Sequence, residues 1–492
     1  MIQTVENIGE KLISMLTYDA SQPLIFSSGL FLFLFAGFLF FYGFTRRAPI
    51  ARIVYVILFS LYFYYKSSGI YFLLLVFASV SDYWIAHAIY KVRTQRAKYW
   101  LVGLSILVNL GMLGYFKYTN FLIEIANNLF GQGFLNFQNI FLPVGISFFV
   151  FQSMSYTIDI CRGQLKPLNN WADYLFYLSF FPQLVAGPIV RAKDFIPQIR
   201  QNPLRVTREM FGMGVFLILI GLFKKAVISD YISLNFVDRI FDEPLLYSGF
   251  ECLMGIYGYA LQIYCDFSGY SDMAIGIALL LGFRFPKNFD APYKSATITE
   301  FWRRWHISLS TWLRDYLYIS LGGNRKGRIR TYFNLLWHGA AVLFILWGAL
   351  HGIALALHKL WLSVVPGSKA TGAEMRWFWR IPGIFFTFNL VCFGWLMFRA
   401  ESMKTVQLML HQIFTNFNPS VIPQVLEGYA GIFLLVGIGY LLHMLPDRCD
   451  RWAQRFVTSL PTVVQVLLAA CVIWLVMQVK SSDIQPFIYF QF

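Results

Sequence analysis

Charge is scarce in this chain: 13% of its 492 residues are Asp, Glu, Lys or Arg, against about 25% in soluble domains. That excludes a soluble globular protein. Its six cysteines are scattered, with no C-x-x-C pair and no metal-type spacing, which argues against a zinc site or a disulfide framework. There is no H-E-x-x-H, no G-x-x-x-x-G-K-[ST], no G-x-G-x-x-G after a strand and no G-x-S-x-G. Metalloprotease, P-loop and serine-triad chemistry therefore have no sequence support. Internal repeats of the kind found in many secondary transporters are also missing. No stretch is polar enough for a soluble catalytic domain, so any chemistry must take place in or at a membrane.

What the chain has in abundance is apolar sequence, 58% hydrophobic and 19% aromatic residues. Runs long enough for a span of about 20 residues begin at Pro23–Phe44 and continue through Ile50–Tyr65, Gly69–Tyr90, Tyr99–Tyr118, Phe141–Ile160, Trp171–Val190, Phe211–Ile228 and Phe250–Phe283. Phe333–Leu362, Ile381–Phe398, Tyr429–Leu445 and Val463–Val479 follow. The expected fold is an all-α polytopic membrane protein with about 11–12 transmembrane or re-entrant helices, a single integral domain over residues 1–492. The first 22 residues carry Glu6, Glu10 and Asp19 ahead of the first apolar run, the reverse of a cleavable signal peptide.

The net charge of 40 − 25 = +15 lies in short clusters between apolar runs, the pattern of positive-inside loops and not of nucleic-acid binding. Arg46, Arg47 and Arg52 follow the first run, and Lys91, Arg93, Arg96 and Lys98 the third. An outside N-terminus with both clusters cytoplasmic satisfies this arrangement, and Arg191–Arg208 and Arg325–Arg330 would then be cytoplasmic too.

Three stretches break the pattern of simple spans. Pro143-Val144-Gly145 and Phe181-Pro182-Gln183-Leu184-Val185-Ala186-Gly187-Pro188 put Pro and Gly inside apolar runs, as kinks of ordinary helices or as the lining of a cavity. Together with Gln262–Asp272, which holds Asp266, Ser268 and Asp272 in a largely apolar stretch, they point towards a cavity. Pairing of the two aspartates with an arginine such as Arg303 or Arg314 comes ahead of direct catalysis for those carboxylates.

Between Phe301 and His351, two histidines and several arginines sit among apolar residues, where an uncompensated polar group is costly. Thr297-Ile298-Thr299-Glu300 has the form of a capping box. A helix over 297–320 would align Trp302, Trp305, Leu309, Trp312 and Tyr316 on one face and lie at the cytoplasmic interface, with His306 and Ser310 on one strip. From an inward turn at Arg330, His338 lies roughly 12 Å deep and His351 roughly 31 Å, at the helical rise. That places His338 near the midplane, where a neutral imidazole can serve as a base. His87, His358, His411 and His443 read as packed, hydrogen-bonded histidines.

The runs Phe301-Trp302-Arg303-Arg304-Trp305-His306-Ile307-Ser308-Leu309-Ser310, Trp312-Leu313-Arg314-Asp315-Tyr316 and Trp337-His338-Gly339 resemble the bacterial membrane-bound O-acyltransferases. The branch is the one containing the alginate O-acetyltransferase membrane subunit and the D-alanyl transfer protein of teichoic acid modification. Phe141–Phe148, Phe181–Ile189 and Asp266–Ala274 add to the resemblance, which covers about residues 24–359; residues 360–492 match only as further transmembrane helices. The resemblance implies a ring of helices around a thin centre pierced by a tunnel. It makes His338 the active-site histidine and His306 a second one, with Trp305, Ser310, Trp337, Asp266 and Ser268 as substrate contacts. It implies no metal and no resident cofactor, a cytoplasmic thioester donor such as acetyl-CoA or an acyl carrier protein, an extracytoplasmic glycan acceptor and a periplasmic partner acyltransferase. The setting is the bacterial inner membrane. The segment Arg328–Leu336 is shorter than in relatives by about two helical turns. The competing class is a flippase of lipid-linked sugars, in which Asp266 and Asp272 would carry protons or bind substrate; D-alanyl transfer is a further alternative.

Overall fold

The structure, a computed structural model, describes residues 10–11, 13–20, 22–45, 47–131, 133–185, 187–201, 205–320, 342–364 and 377–479. Among these there is no strand. The principal helices are α1 (Gly29–Tyr42), α2 (Pro49–Ser68), α3 (Phe72–Lys91), α4 (Gln95–Phe130), α5 (Ile146–Cys161), α6 (Trp171–Ser179), α7 (Phe181–Leu184), α8 (Ala192–Ile199) and α9 (Arg208–Leu222). They continue with α10 (Gly249–Leu280), α11 (Ile298–Arg304), α12 (Ile307–Trp312), α13 (Val342–Val364), α14 (Trp377–Arg399), α15 (Met403–Thr415), α16 (Ala430–Met444), α17 (Asp447–Ser459) and α18 (Thr462–Val479).

Among the described residues, five helices are long and apolar enough to cross a membrane: Pro49–Lys91, Gln95–Phe130, Arg208–Asp242, Leu343–Val364 and Phe378–Arg399. The number rises to seven if two sharply bent pairs, Pro419–Gly428 with Ala430–Met444 and Asp447–Ser459 with Thr462–Gln478, each count as one span. The apolar runs in the sequence are more numerous for a physical reason. Two of them join in Pro49–Lys91, and others fold as short helices inside the protein: α5, 16 residues long, buries Gln152, Ser153, Ser155, Thr157 and Asp159.

The chain forms two compact units. One contains the residues up to Val215 together with Met273–Pro286, the other Phe216–Asp272 with Lys287–Ser481.

In the first unit the two broken apolar stretches pack on each other. Gly145 adopts φ +72, and a Cβ there would fall well inside contact distance of Leu184 O, so the bare backbone lies directly against α7. Serines of α2 receive the amides that the breaks leave without a helical partner: Phe181 N donates to Ser60 Oγ at 3.2 Å and Val144 N to Ser68 Oγ at 3.0 Å. Buried backbone groups outside a ladder need such partners. Phe181 sits among Phe31, Phe35, Phe38, Phe59 and Phe63, with ring centroids 5.0–6.4 Å away. Nearby polarity is concentrated at Asp82, fully buried on α3, which accepts from Ser105 Oγ at 2.7 Å, Asn109 Nδ2 at 2.6 Å and Ser153 Oγ. Hydrogen bonds from three directions compensate a carboxyl group that water cannot reach.

The second unit holds most of the residues singled out by the sequence. Its core is aromatic: Trp395 of α14, buried, packs on Trp305 at 4.9 Å and Trp347 at 6.0 Å between centroids. Tyr293 fixes this core by polar contacts, donating its hydroxyl to Ala260 O at 2.5 Å and accepting from Trp395 Nε1 at 3.1 Å, while its backbone N–H donates to His443 Nε2 at 3.1 Å.

Candidate active site

The expected cap forms, with the carboxylate reaching the amide one residue before the N-cap. Thr297 Oγ1 accepts from Glu300 N at 3.2 Å, and Glu300 Oε2 accepts from Ala296 N at 3.0 Å, so α11 starts where the hydroxyl and the carboxylate predict. The expected continuous helix over 297–320 does not form. α11 ends at Arg304, Trp305 is extended, and His306 takes a left-handed conformation with φ 42 and ψ 57 before α12 begins at Ile307. Beyond α12 the backbone widens into a π-helical turn over Leu313–Tyr318.

The break has a tertiary cause. The segment Asn288–Asp290 supplies hydrogen bonds that an uninterrupted helix would have made within itself: Asp290 N donates to Arg304 O at 2.9 Å and Ile307 N to Asn288 O at 2.8 Å. The aromatic spacing runs on across the break, which is why periodicity alone concealed it. Of the aligned face, Trp305, Trp312 and Tyr316 are buried and Trp302 and Leu309 half-buried, while Arg303 and Arg314 are exposed.

His306 is itself buried, 4% exposed. Its ring lies 5.8 Å from that of Phe289 and 6.4 Å from that of Phe267 on α10. Burial among these rings pushes the imidazole down to about 4, so the side chain is neutral at physiological pH. Ser310 remains its neighbour, one turn into the helix whose N-cap is His306: Ser310 N donates to His306 O at 2.9 Å and Ser310 Oγ to Trp305 O at 3.1 Å. A non-glycine residue in the left-handed region costs about 1–2 kcal/mol and clusters at functional sites.

Asp266 and Asp272 find cations, but lysines and not the expected arginines. Lys225 Nζ lies 2.6 Å from Asp266 Oδ1 and 2.7 Å from Asp230 Oδ1, and Lys224 Nζ lies 2.7 Å from Asp272 Oδ2. Both lysines belong to the π-helical turn Phe223–Ser229. Gly269 lets that turn close on α10, since a Cβ there would come within 2.8 Å of Gly221 O. Arg314 pairs with Asp315 at 2.7 Å instead. Ser268 is buried on α10, one residue from the Phe267 ring that meets His306.

Trp337 and His338, with the basic turn Gly322–Gly327 and the short segment Arg328–Leu336, lie outside the described residues. Two residues to which the sequence reading gave no role pack against residues 301–308. His351 is 1% exposed and stacks on Phe301 at 6.2 Å while meeting Trp302 edge-on at 5.3 Å. Gly394 permits this, because a Cβ there would lie 2.9 Å from His351 Nε2. Asn288, 2% exposed, is the other; an asparagine between Lys287 and Phe289 has no motif to announce it. Of the histidines read as packed, His443 is buried and accepts from Tyr293 N, His87 Nδ1 contacts Tyr83 O at 2.9 Å and His358 Nδ1 contacts Thr299 Oγ1 at 2.7 Å, whereas His411 is exposed and meets only Thr415 of its own helix among the described contacts.

The family model described as MBOAT, membrane-bound O-acyltransferase family, matches residues 164–403. The chain is 42% identical over 406 residues to the probable alginate O-acetylase AlgI of Azotobacter vinelandii, covering 80% of this chain and 78% of that protein. It is 36% identical over 428 residues to the peptidoglycan O-acetyltransferase of Helicobacter pylori, covering 79% of each. Similarity to the teichoic acid D-alanyltransferase of Streptococcus thermophilus is 29% over 337 residues, 63% of this chain and 77% of that protein.

Proposed function

Because the chain belongs to the membrane-bound O-acyltransferase family and is a multi-pass membrane O-acyltransferase, we propose that it moves an acetyl group from a cytoplasmic thioester to a hydroxyl of an extracytoplasmic polysaccharide. The observation that carries this reading is His306, neutral, buried and conformationally strained within the Trp-His-Ile-Ser segment. Support for acetyl over D-alanyl comes from relatives: those named as O-acetylases reach 36–42% identity, the D-alanyltransferase 29%.

In the proposed reaction His338 takes the proton of the acceptor hydroxyl as its oxygen attacks the thioester carbonyl. The tetrahedral oxyanion collapses, the carbon–sulfur bond breaks, and the departing thiolate receives the proton from His338. His306 orients the donor or stabilises the developing oxyanion; as a neutral imidazole it does so through a hydrogen bond without a resting charge. Trp305 and Ser310 frame it, and Trp337 and Ser268 contact substrate. The donor is acetyl-CoA or an acyl carrier protein, the membrane is the inner one, a tunnel through a single domain joins its two faces, and an extracytoplasmic partner acyltransferase completes delivery. Asp266 contributes by holding α10 to Lys225. A flippase that relies on Asp266 and Asp272 as proton carriers is disfavoured, since lysines already engage both carboxylates.

The test deletes the gene in its host and restores either the wild-type chain or His338→Ala. Base-labile acyl groups on envelope and extracellular polysaccharide are then identified by mass. Acetate restored by the wild type and lost with His338→Ala is expected. D-alanine in its place moves the reading to teichoic-acid-type transfer, and full acylation by His338→Ala at equal protein level overturns the assigned base.

A further inference from the structure

The first amides of a helix need acceptors, which a residue at the N-cap normally supplies from its own side chain. At α12 the N-cap is His306, and its side chain makes no capping bond. The acceptors come from elsewhere in the chain. Asn288 O accepts from Ile307 N at 2.8 Å, and Asn288 Oδ1 accepts from both Ser308 N at 3.2 Å and Ser308 Oγ at 2.9 Å. The amide nitrogen of the same side chain donates to Ser271 Oγ on α10 at 3.0 Å, which sets the orientation of the carboxamide.

One buried asparagine thus grips both residues that follow His306 and ties them to the helix carrying Asp266, Phe267 and Ser268. On the other side of His306, Arg304 O accepts from Asp290 N at 2.9 Å and Arg304 Nη1 donates to Asp290 O at 3.1 Å. The left-handed residue is held from both ends by the single segment Asn288–Asp290. A strained conformation persists only where its surroundings impose it, and here the imposing groups can be named. With the cap supplied by Asn288, the backbone on the C-terminal side of His306 is held from outside its own helix.

We propose that Asn288 is a positioning residue for O-acyl transfer, acting through His306 by capping α12 from outside and so holding the histidine in its left-handed conformation. The inference rests on the role given to His306 above. It goes beyond that role by naming what keeps the imidazole in place.

The test uses the full chain in host cells lacking the chromosomal gene, with base-labile acetate on total polysaccharide read per amount of membrane-inserted protein. Asn288→Ala is expected to lower it by about ten- to a hundred-fold, the scale of a small misplacement of a reacting group. Asn288→Asp, which keeps the acceptors for Ser308 and can accept from Ser271, is expected to recover most of the loss. In a His306→Ala background, Asn288→Ala is expected to cause no further loss. If Asn288→Ala does not accumulate, Ser271→Ala, which removes only the hydroxyl orienting the carboxamide, carries the same comparison. Wild-type acylation by Asn288→Ala, no recovery by Asn288→Asp, or a full further loss in the His306→Ala background would overturn the inference. Undiminished acylation by His306→Ala alone would instead remove the role of His306 on which it rests.

Discussion

Lys225 Nζ sits 2.6 Å from Asp266 Oδ1, with side chains 3% and 0% exposed. The same ammonium lies 2.7 Å from Asp230 Oδ1, so one lysine is shared by two carboxylates, and the consequences of removing each partner differ. Lys225→Met leaves both carboxylates without their cation and is expected to destabilise the protein by about 3–5 kcal/mol, the usual effect of breaking a buried pair from one side. Asp266→Asn leaves Lys225 with Asp230 and should cost clearly less. Thermal unfolding of the purified chain in detergent compares the two; equal losses would contradict the shared-lysine arrangement.

The burial of His306 makes stability depend on pH in a defined direction. The imidazole takes up a proton near 6.5 in the unfolded chain but only at about 4 in the folded one. Below pH 6.5 the unfolded state therefore binds the proton first, and stability present above 6.5 is lost as pH falls towards 4. Between pH 7 and 5 the wild type should lose about 2 kcal/mol more than His306→Gln. Chemical unfolding of both proteins at the two pH values measures this, and parallel losses would count against a buried, neutral imidazole.

Two glycines separate conformational freedom from close packing. Gly145 and Gly163 both adopt φ +72, but a Cβ at Gly145 would collide with Leu184 O while one at Gly163 meets nothing within 4 Å. Gly163→Ala should cost about 1–2 kcal/mol, from backbone strain alone. Gly145→Ala should cost at least about 2 kcal/mol more, because backbone cannot move aside as a flexible side chain can. Equal unfolding midpoints would show that the two broken stretches do not pack as described.

Much of this protein was legible from residue types. Scarce charge and long apolar runs identify a polytopic helical protein, and Thr297 with Glu300 locates the start of α11 to the residue. The Trp-His-Ile-Ser segment marks His306 because a histidine among tryptophans is expensive without a purpose. The rest depends on contacts distant in sequence. The helix break at Trp305–His306 is made by Asn288 and Asp290, which lie outside the periodic stretch. Pairing of Asp266 and Asp272 with Lys225 and Lys224 depends on a π-helical turn and on Gly269, neither of which has a strong local pattern. His351 reaches Phe301 and Trp302 only because Gly394 on another helix makes room. Hydropathy marks apolar runs without separating a long helix that can cross a membrane from a short one, such as α5, that is buried against its neighbours.

The central claim is that His306 takes part in acyl transfer. Its most direct test is the rate at which base-labile acetate appears on polysaccharide in cells carrying His306→Ala, with wild-type and mutant chains at equal levels in the membrane. The account predicts a fall of about a hundred-fold or more, the scale of losing one preorganised hydrogen bond at a developing oxyanion. A mutant that acetylates at the wild-type rate would contradict it.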